Sequence, residues 1–402
     1  MIQVSVSATA SAQLYGTKPE RQGWYVTPSI AAGGLYEDNV FFVPGSDASS
    51  PFARLTPGIE VQYRRRSRSF DAGYNFDAER YPEEFDALTK LFARQEAYGE
   101  YEAAVDRRSS IRLAGSFLST TRPEEVLQDT GLLSTRRLSR SVVASARFAR
   151  RLSRRLSGEV GYLLSVRDFE RPGSEIPTTG GTVHALVTGV SMPISRRTLG
   201  TLGYTARLLI PEEVPVASAP SVNFSSHVVT FQIARRVSKQ IDLNVTLGPR
   251  VSEGLQATPG DVGVLRDFGP EADASIALRA KNKRFELRYT KTQQQALGLG
   301  GFTNTERYTF RAVLDPTVRT RFEATPAYYK NERAGIDTTS IQVDMRAQYQ
   351  FRRSALVEAS YRFQYQDRFA FFTTGGIEIV DQSTRRNTFM VSFKLFKTYD
   401  MN

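Results

Sequence analysis

The chain has 402 residues, 40% apolar, 24% charged and 11% aromatic, with 53 Lys and Arg against 42 Asp and Glu. The lack of cysteine excludes disulfide frameworks, thiolate metal sites and cysteine nucleophiles, and two histidines, His184 and His227, are too few for a multi-histidine metal centre. No stretch reaches the ~18–20 consecutive apolar residues of a membrane-spanning helix, and the aromatic content is too high for a disordered polyelectrolyte.

The dominant pattern along the chain is alternation with period two. Phe70, Ala72, Tyr74 and Phe76 alternate with Asp71, Gly73, Asn75 and Asp77. Ile241, Leu243, Val245 and Leu247 alternate with Asp242, Asn244, Thr246 and Gly248. The same holds from Ile341 to Gln350 and from Val357 to Gln366. Successive side chains of a strand point to opposite faces, so each run has one apolar and one polar face. The runs last about 9–12 residues, longer than typical soluble strands and long enough for a tilted strand to cross a bilayer. About eighteen such segments are predicted. They begin near Trp24, Ala53, Ser69, Leu91, Ile111, Val142, Leu156, Val183 and Leu199, then near His227, Ile241, Ala274, Phe285, Tyr308, Phe322, Ile341, Leu356 and Thr388. The pattern is weakest at Val183 and Leu199, where small and apolar residues fall on both faces. Pro82–Arg94 is the best helical candidate and reads equally well as a loop running into a strand.

The connections alternate in length. Short ones are basic, as in Arg64–Arg68, Arg150–Arg155, Arg235–Lys239 and Lys281–Arg284. Long ones are richer in Gly, Pro and acid, as in Glu37–Pro51, Thr120–Arg137, Ser252–Pro270 and Asp367–Thr384. This predicts an all-β fold: a single transmembrane up-and-down antiparallel barrel of about 18 strands, with short periplasmic turns and long extracellular loops. Closure removes the two edges that an open sheet of this size would leave. A soluble barrel would instead need a large apolar lumen, and stacked sandwiches would show shorter strands and no rim asymmetry. The implied location is the outer membrane of a Gram-negative-type envelope, with outer-membrane lipid and the barrel-assembly machinery as partners.

At the N-terminus, Ala10-Ser11-Ala12 before Gln13 has the form of a signal-peptide cleavage site, although Met1–Ser7 lacks a basic region and an adequate apolar core. Residues 1–12 therefore read as the residual end of a signal peptide whose start lies upstream, and 13–402 as the barrel. In the last strand Phe389, Val391, Phe393 and Leu395 share one face and Phe396 closes it. That strand resembles the aromatic-ended insertion signal of outer-membrane barrels, although six residues, Lys397–Asn402, follow it.

A family resemblance lies near the N-terminus: Pro28-Ser29-Ile30, then Tyr36-Glu37-Asp38-Asn39-Val40, then Leu55-Thr56-Pro57-Gly58-Ile59. This strand, loop and return strand resemble the beta-barrel porin 2 group of outer-membrane proteins. The resemblance covers about the first sixty residues and implies a barrel that accompanies exopolysaccharide secretion, with periplasmic export components as partners.

On this assignment the polar face lines a lumen through Glu60, Asp71, Glu100, Glu102, Arg112, Arg167, Asp242, Arg279, Glu286, Arg288, Arg311, Asp344, Arg346, Glu358 and Arg362. Both signs occur on neighbouring strands. One reading is a charged constriction that selects polar solutes; the other is a set of cross-strand ion pairs stiffening the wall. The basic turns likewise suit either an anion-gathering mouth or contact with anionic headgroups. Nucleic-acid binding is not expected, because no helix or stacking platform organises the charge. A barrel-embedded hydrolase would need an acid and a nucleophile beside a histidine. His227 follows Ser225 and Ser226, but adjacent strand residues face opposite ways and no acid is evident, so an enzyme is not expected. Neither a metal nor a cofactor is expected. The sequence thus favours a pore or conduit accessory to polysaccharide export, with a general diffusion porin or a plugged docking barrel as alternatives.

Overall fold

The computed structural model describes residues 22–132, 136–170, 180–211, 223–258, 261–295, 302–333, 336–373, 376–380 and 382–401. The Ala10-Ser11-Ala12 site lies outside the described residues. The first half of the chain forms β1 (Gly23–Glu37), β2 (Ser50–Arg65), β3 (Arg68–Arg80), β4 (Lys90–Ala104), β5 (Ser109–Thr120), β6 (Ser139–Arg151), β7 (Ser157–Phe169), β8 (Gly181–Ser195) and β9 (Thr198–Pro211). The second half forms β10 (Phe224–Arg236), β11 (Ile241–Thr258), β12 (Asp261–Ala280), β13 (Lys283–Gln295), β14 (Phe302–Thr317), β15 (Thr320–Arg333), β16 (Ile336–Arg352) and β17 (Ala355–Gln366). A small hairpin, β18 (Phe369–Thr373) with β19 (Gly376–Val380), precedes β20 (Thr384–Phe396) and the short β21 (Tyr399–Asp400).

Each of β1 to β16 pairs antiparallel with the next, β17 pairs with β20, and β20 returns to β1 from Ser29↔Phe396 to Glu37↔Thr388. The result is a closed ring of 18 antiparallel strands with the hairpin outside it. The segment after Phe396 continues down β1, with Tyr25 opposite Asp400 and the Met401 amide donating to the Trp24 carbonyl at 3.0 Å. β1 starts six residues below Ser29, so this extension covers backbone that β20 leaves unpaired.

Alternation has a direct structural meaning. In β6, Val142, Ala144, Ala146 and Phe148 point outward and Ser141, Val143, Ser145 and Arg147 point inward. Across the ring, exposed large apolar side chains such as Ile59, Leu202, Phe231, Leu247 and Val391 form an outer belt. A closed barrel satisfies its own backbone and presents that belt to lipid. No helix among the described residues is long and apolar enough to cross a membrane; the strands do so. Phe389, Val391, Phe393 and Leu395 lie on the outward face, while Phe396 turns into the lumen. Val391→Arg should therefore destabilise the barrel by about 2–4 kcal/mol, the cost of a cation near the bilayer midplane. Folding titrations in lipid vesicles would measure it.

The structure departs from the sequence reading mainly above the outer rim. Ser252–Pro270, read as a loop, is largely paired: β11 and β12 run in register to Thr258↔Asp261. Beyond the lipid no apolar face is required, so the ladder continues after the alternation fades. Pro82–Arg94 contains a 3-10 turn at Glu83–Leu88 and then enters β4. The strands at Val183 and Leu199 are full-length, and their lumen face is small or apolar (Val183, Ala185, Gly203, Leu209), which blurred the pattern.

Candidate functional site

One outer connection does not stand away from the barrel. Residues 121–132, which follow β5, turn inward across the bore. A 3-10 turn at Pro123–Glu125 starts the descent, with Pro123 and Glu124 buried. Val126 and Leu127 are buried against Phe169, with Leu118 and Leu132 beside them. The far end is held by the opposite wall. The Tyr329 hydroxyl donates to the Gln128 carbonyl (3.2 Å), the Asn331 side-chain amide to the Thr130 carbonyl (2.9 Å), and the Ser340 hydroxyl to the Gly131 carbonyl (2.7 Å). Those donors lie on β15 and β16, ten strands on from β5 and β6, which is the other side of an 18-strand ring. Gly131 makes this approach possible. Its φ is +63°, and a Cβ there would sit 2.3 Å from the Tyr329 ring.

Ion pairs fix the near side of the loop. Glu125 meets Arg94 Nε at 2.9 Å on β4. Arg122 reaches Glu79 on β3 at 3.1 Å and Glu37 on β1 at 3.7 Å. Arg136 also pairs with Glu37 and donates to the Val40 carbonyl at 2.6 Å. Arg386, on β20 and 2% exposed, pairs with Glu124 and with Glu37 (3.5 Å) and donates to Gln364. Its guanidinium stacks 4.8 Å over the Phe42 ring. On the far flank Arg167 of β7 reaches Asp129 at 3.1 Å. Buried charges of this density persist only because each is paired and hydrogen-bonded.

The first outer connection covers the network. Val40 and Phe42 are fully buried there, and Asn39 and Phe42 adopt positive φ values of 47° and 54°. The Asn39 side chain accepts from the Val43 amide at 2.9 Å and donates to the Arg385 carbonyl at 3.1 Å; Asp38 accepts from the Asn387 side-chain amide at 2.6 Å. The Glu37-Asp38-Asn39-Val40 run therefore ties β1, β20 and the inward loop together.

Glu125 provides a pH handle. Burial disfavours its ionised form, but Arg94, then Arg122, Arg362 and Arg54, outweigh that and hold the carboxyl below its ordinary value of 4.5. A depressed pKa adds stability that is complete above the ordinary value and is lost as pH falls through the lowered one. Acidification from pH 4.5 downward should thus progressively loosen the loop and add open-channel noise in bilayer recordings. Noise that is flat across that range would contradict it.

The inward faces enclose a cavity of about 1270 Å3 bordered by the loop and by strands around the ring. Of the residues expected to line a lumen, Glu60, Arg167, Glu286, Arg288, Arg311, Asp344, Arg346, Glu358 and Arg362 border it. Asp71, Glu100, Glu102, Arg112, Asp242 and Arg279 do not; several form ion pairs on the inward face nearer the short turns. Arg64 meets Asp71 at 2.5 Å, Arg112 meets Glu100 at 2.8 Å, and Asp242 lies 3.5 Å from Arg236 and 3.4 Å from Arg279. Around the cavity Arg207 pairs with Glu271, Arg288 with Asp273, Arg311 with Glu323 and Arg362 with Asp344, all at 2.6 Å, and Arg346 with Glu358 at 3.4 Å. Arg307 differs: its Nε bonds the Thr309 hydroxyl, and its guanidinium lies 5.2 Å over Tyr329, beside the loop tip.

Sequence reasoning missed the loop and its anchors Glu37, Glu79, Arg94, Arg122, Glu124, Arg136 and Arg386. Apolar Val126-Leu127 and Leu132 inside an outer loop were the available sign. The histidines are elsewhere: His227 Nδ1 is 2.8 Å from the Tyr204 hydroxyl and His184 Nδ1 2.6 Å from that of Tyr162. Both pairs are on the outward face, whereas Ser226 is buried and bonded to Ser252.

A closed 18-strand antiparallel barrel with an apolar exterior and a charged, partly loop-filled bore defines a transmembrane β-barrel of the Gram-negative outer membrane. No protein-family model matches the chain, and no curated protein matches it. Similar solved structures include Acinetobacter baumannii OccAB4, with 8% identity, 94% of this chain and 99% of that chain covered, and a TM-score of 0.48. A BenF-like porin from Pseudomonas fluorescens Pf-5 gives 9%, 93%, 99% and 0.47 for the same quantities, and Pseudomonas aeruginosa OpdQ gives 10%, 93%, 98% and 0.45.

Proposed function

We propose that the protein is a passive outer-membrane channel for small hydrophilic solutes, narrowed by the inward loop at 121–132. The observation that carries this reading is the loop anchored to both sides of the bore, beside a charge-lined cavity of about 1270 Å3. On the near side of the loop, the Arg–Glu network lines the cavity. On the other, β7 to β14 present Ser165, Ala185, Thr230, Thr246 and Thr290 among Arg207, Arg288 and Arg307. Such a wall offers hydrogen bonds and positive charge to a passing solute without a tight site. The nine predicted lining residues that border the cavity belong to this proposal.

Planar-bilayer recording of the purified chain tests it. Discrete conductance steps with a reversal potential that moves on Arg346→Glu and Arg362→Glu are expected; a silent bilayer identifies a plugged docking barrel instead. Participation in polysaccharide export rests on the likeness of residues 28–59 alone, and a bore crossed by a tethered loop suits small solutes better than a polymer.

A further inference from the structure

The short turns form a second surface that the bore does not use. Every short turn carries arginine or lysine, and Asp106 is the one acid within them. Where these cations point into the lumen they are neutralised by wall acids, as Arg64 is by Asp71 and Arg236 by Asp242. The cations at the tips are different. Arg66, Arg107, Arg154, Arg197, Lys281 and Arg353 are all exposed, and among the described residues none makes an ion pair. They recur around the whole circumference rather than gathering at the mouth of the bore.

Two further observations state what meets them. The turns mix cations with exposed apolar side chains: Val105 precedes Asp106-Arg107-Arg108 and is 63% exposed, Leu152 lies between Arg151 and Arg154, and Val318, 89% exposed, precedes Arg319. Directly above sits an aromatic group on the outward face. Trp24 packs 4.7 Å from Tyr63 and 6.3 Å from Phe70, flanking the Arg64–Arg68 turn. Lys397 lies 4.9 Å over Tyr399 on the neighbouring extension. Amphipathic rings at the membrane boundary, with cations and dipping apolar groups just beyond, match the layering of a lipid headgroup region. A soluble polyanion would gain nothing from the apolar tips.

We propose that the short-turn rim is a collar for anionic phospholipid headgroups of the periplasmic leaflet, with the phosphates held by the unpaired turn arginines and lysines. The collar functions independently of whether the bore conducts.

Trp24 is the sole tryptophan and lies beside one of the basic turns, so it reports the lipid there. The full chain is refolded into phosphatidylcholine vesicles containing either brominated phosphatidylglycerol or brominated phosphatidylcholine, and quenching of Trp24 gives their relative affinity at that turn. Phosphatidylglycerol should be preferred by roughly fivefold at low ionic strength and by less than about twofold in 1 M salt, because headgroup attraction is screened. The triple variant R65Q/R66Q/R68Q should lose the preference and R65K/R66K/R68K should keep it, with heat-modifiable gel mobility confirming that each is folded. Should the variants not fold, the salt titration of the natural chain decides alone. Equal quenching by the two lipids, a preference that survives 1 M salt, or one unchanged in R65Q/R66Q/R68Q would overturn the collar. So would tripolyphosphate binding to the rim without any lipid preference, which would assign the turns to a soluble polyanion.

Discussion

Gly131→Val is expected to open the bore, raising single-channel conductance by at least about twofold. Two costs coincide at this position. A β-branched residue at φ +63° carries strain of roughly 1–3 kcal/mol, and its Cβ would overlap the Tyr329 ring from 2.3 Å. The backbone must retreat, and the hydrogen bonds from Tyr329, Asn331 and Ser340 to the loop carbonyls go with it. The near anchors at Arg94 and Arg122 stay, so the loop should swing rather than unfold the barrel. Conductance and liposome-swelling rates with sugars of increasing size would show a larger exclusion limit. Unchanged values in a properly folded variant would remove the loop tip from any role in setting the width.

Arg386→Met should cost about 3–5 kcal/mol of barrel or loop stability, because it leaves Glu124 and Glu37 buried without their shared cation. Both carboxylates are almost inaccessible to water, and Arg386 is also the contact under Phe42. The paired variant Arg386→Met with Glu124→Leu should recover part of that loss, since replacing both partners with apolar groups removes the unpaired charge. Urea unfolding in micelles measures the stability, and limited proteolysis within residues 121–138 reports loop release. A single variant as stable and protease-resistant as the natural chain would show that the pair contributes nothing.

The barrel was legible because lipid imposes a rule on every second residue. Ile341–Gln350 and Val357–Gln366 alternate without interruption, and they form adjacent strands β16 and β17, paired from Ser340↔Gln366 to Gln350↔Leu356. Nothing comparable constrains the inside. Val126, Leu127 and Gly131 are ordinary loop residues until the Tyr329 ring and the Phe169 cluster are placed against them. Whether Glu37 meets solvent or three arginines depends on contacts across ~85 to ~350 residues of sequence, and period-two patterning carries no such information. The lining residues divided for the same reason. Facing direction follows from parity, but height along the bore depends on strand tilt, so Asp71 and Glu100 face the lumen below the cavity that Glu60 borders.

Glu37 belongs to the first strand and Arg386 to the last, and both grip the inward loop through Arg122, Arg136 and Glu124. The binding site for that loop therefore does not exist until β1 and β20 have met. During assembly an unsealed barrel would have its constriction loop undocked, and sealing the wall and narrowing the bore become a single event. The seam between β1 and β20 is stapled from within by the inward loop.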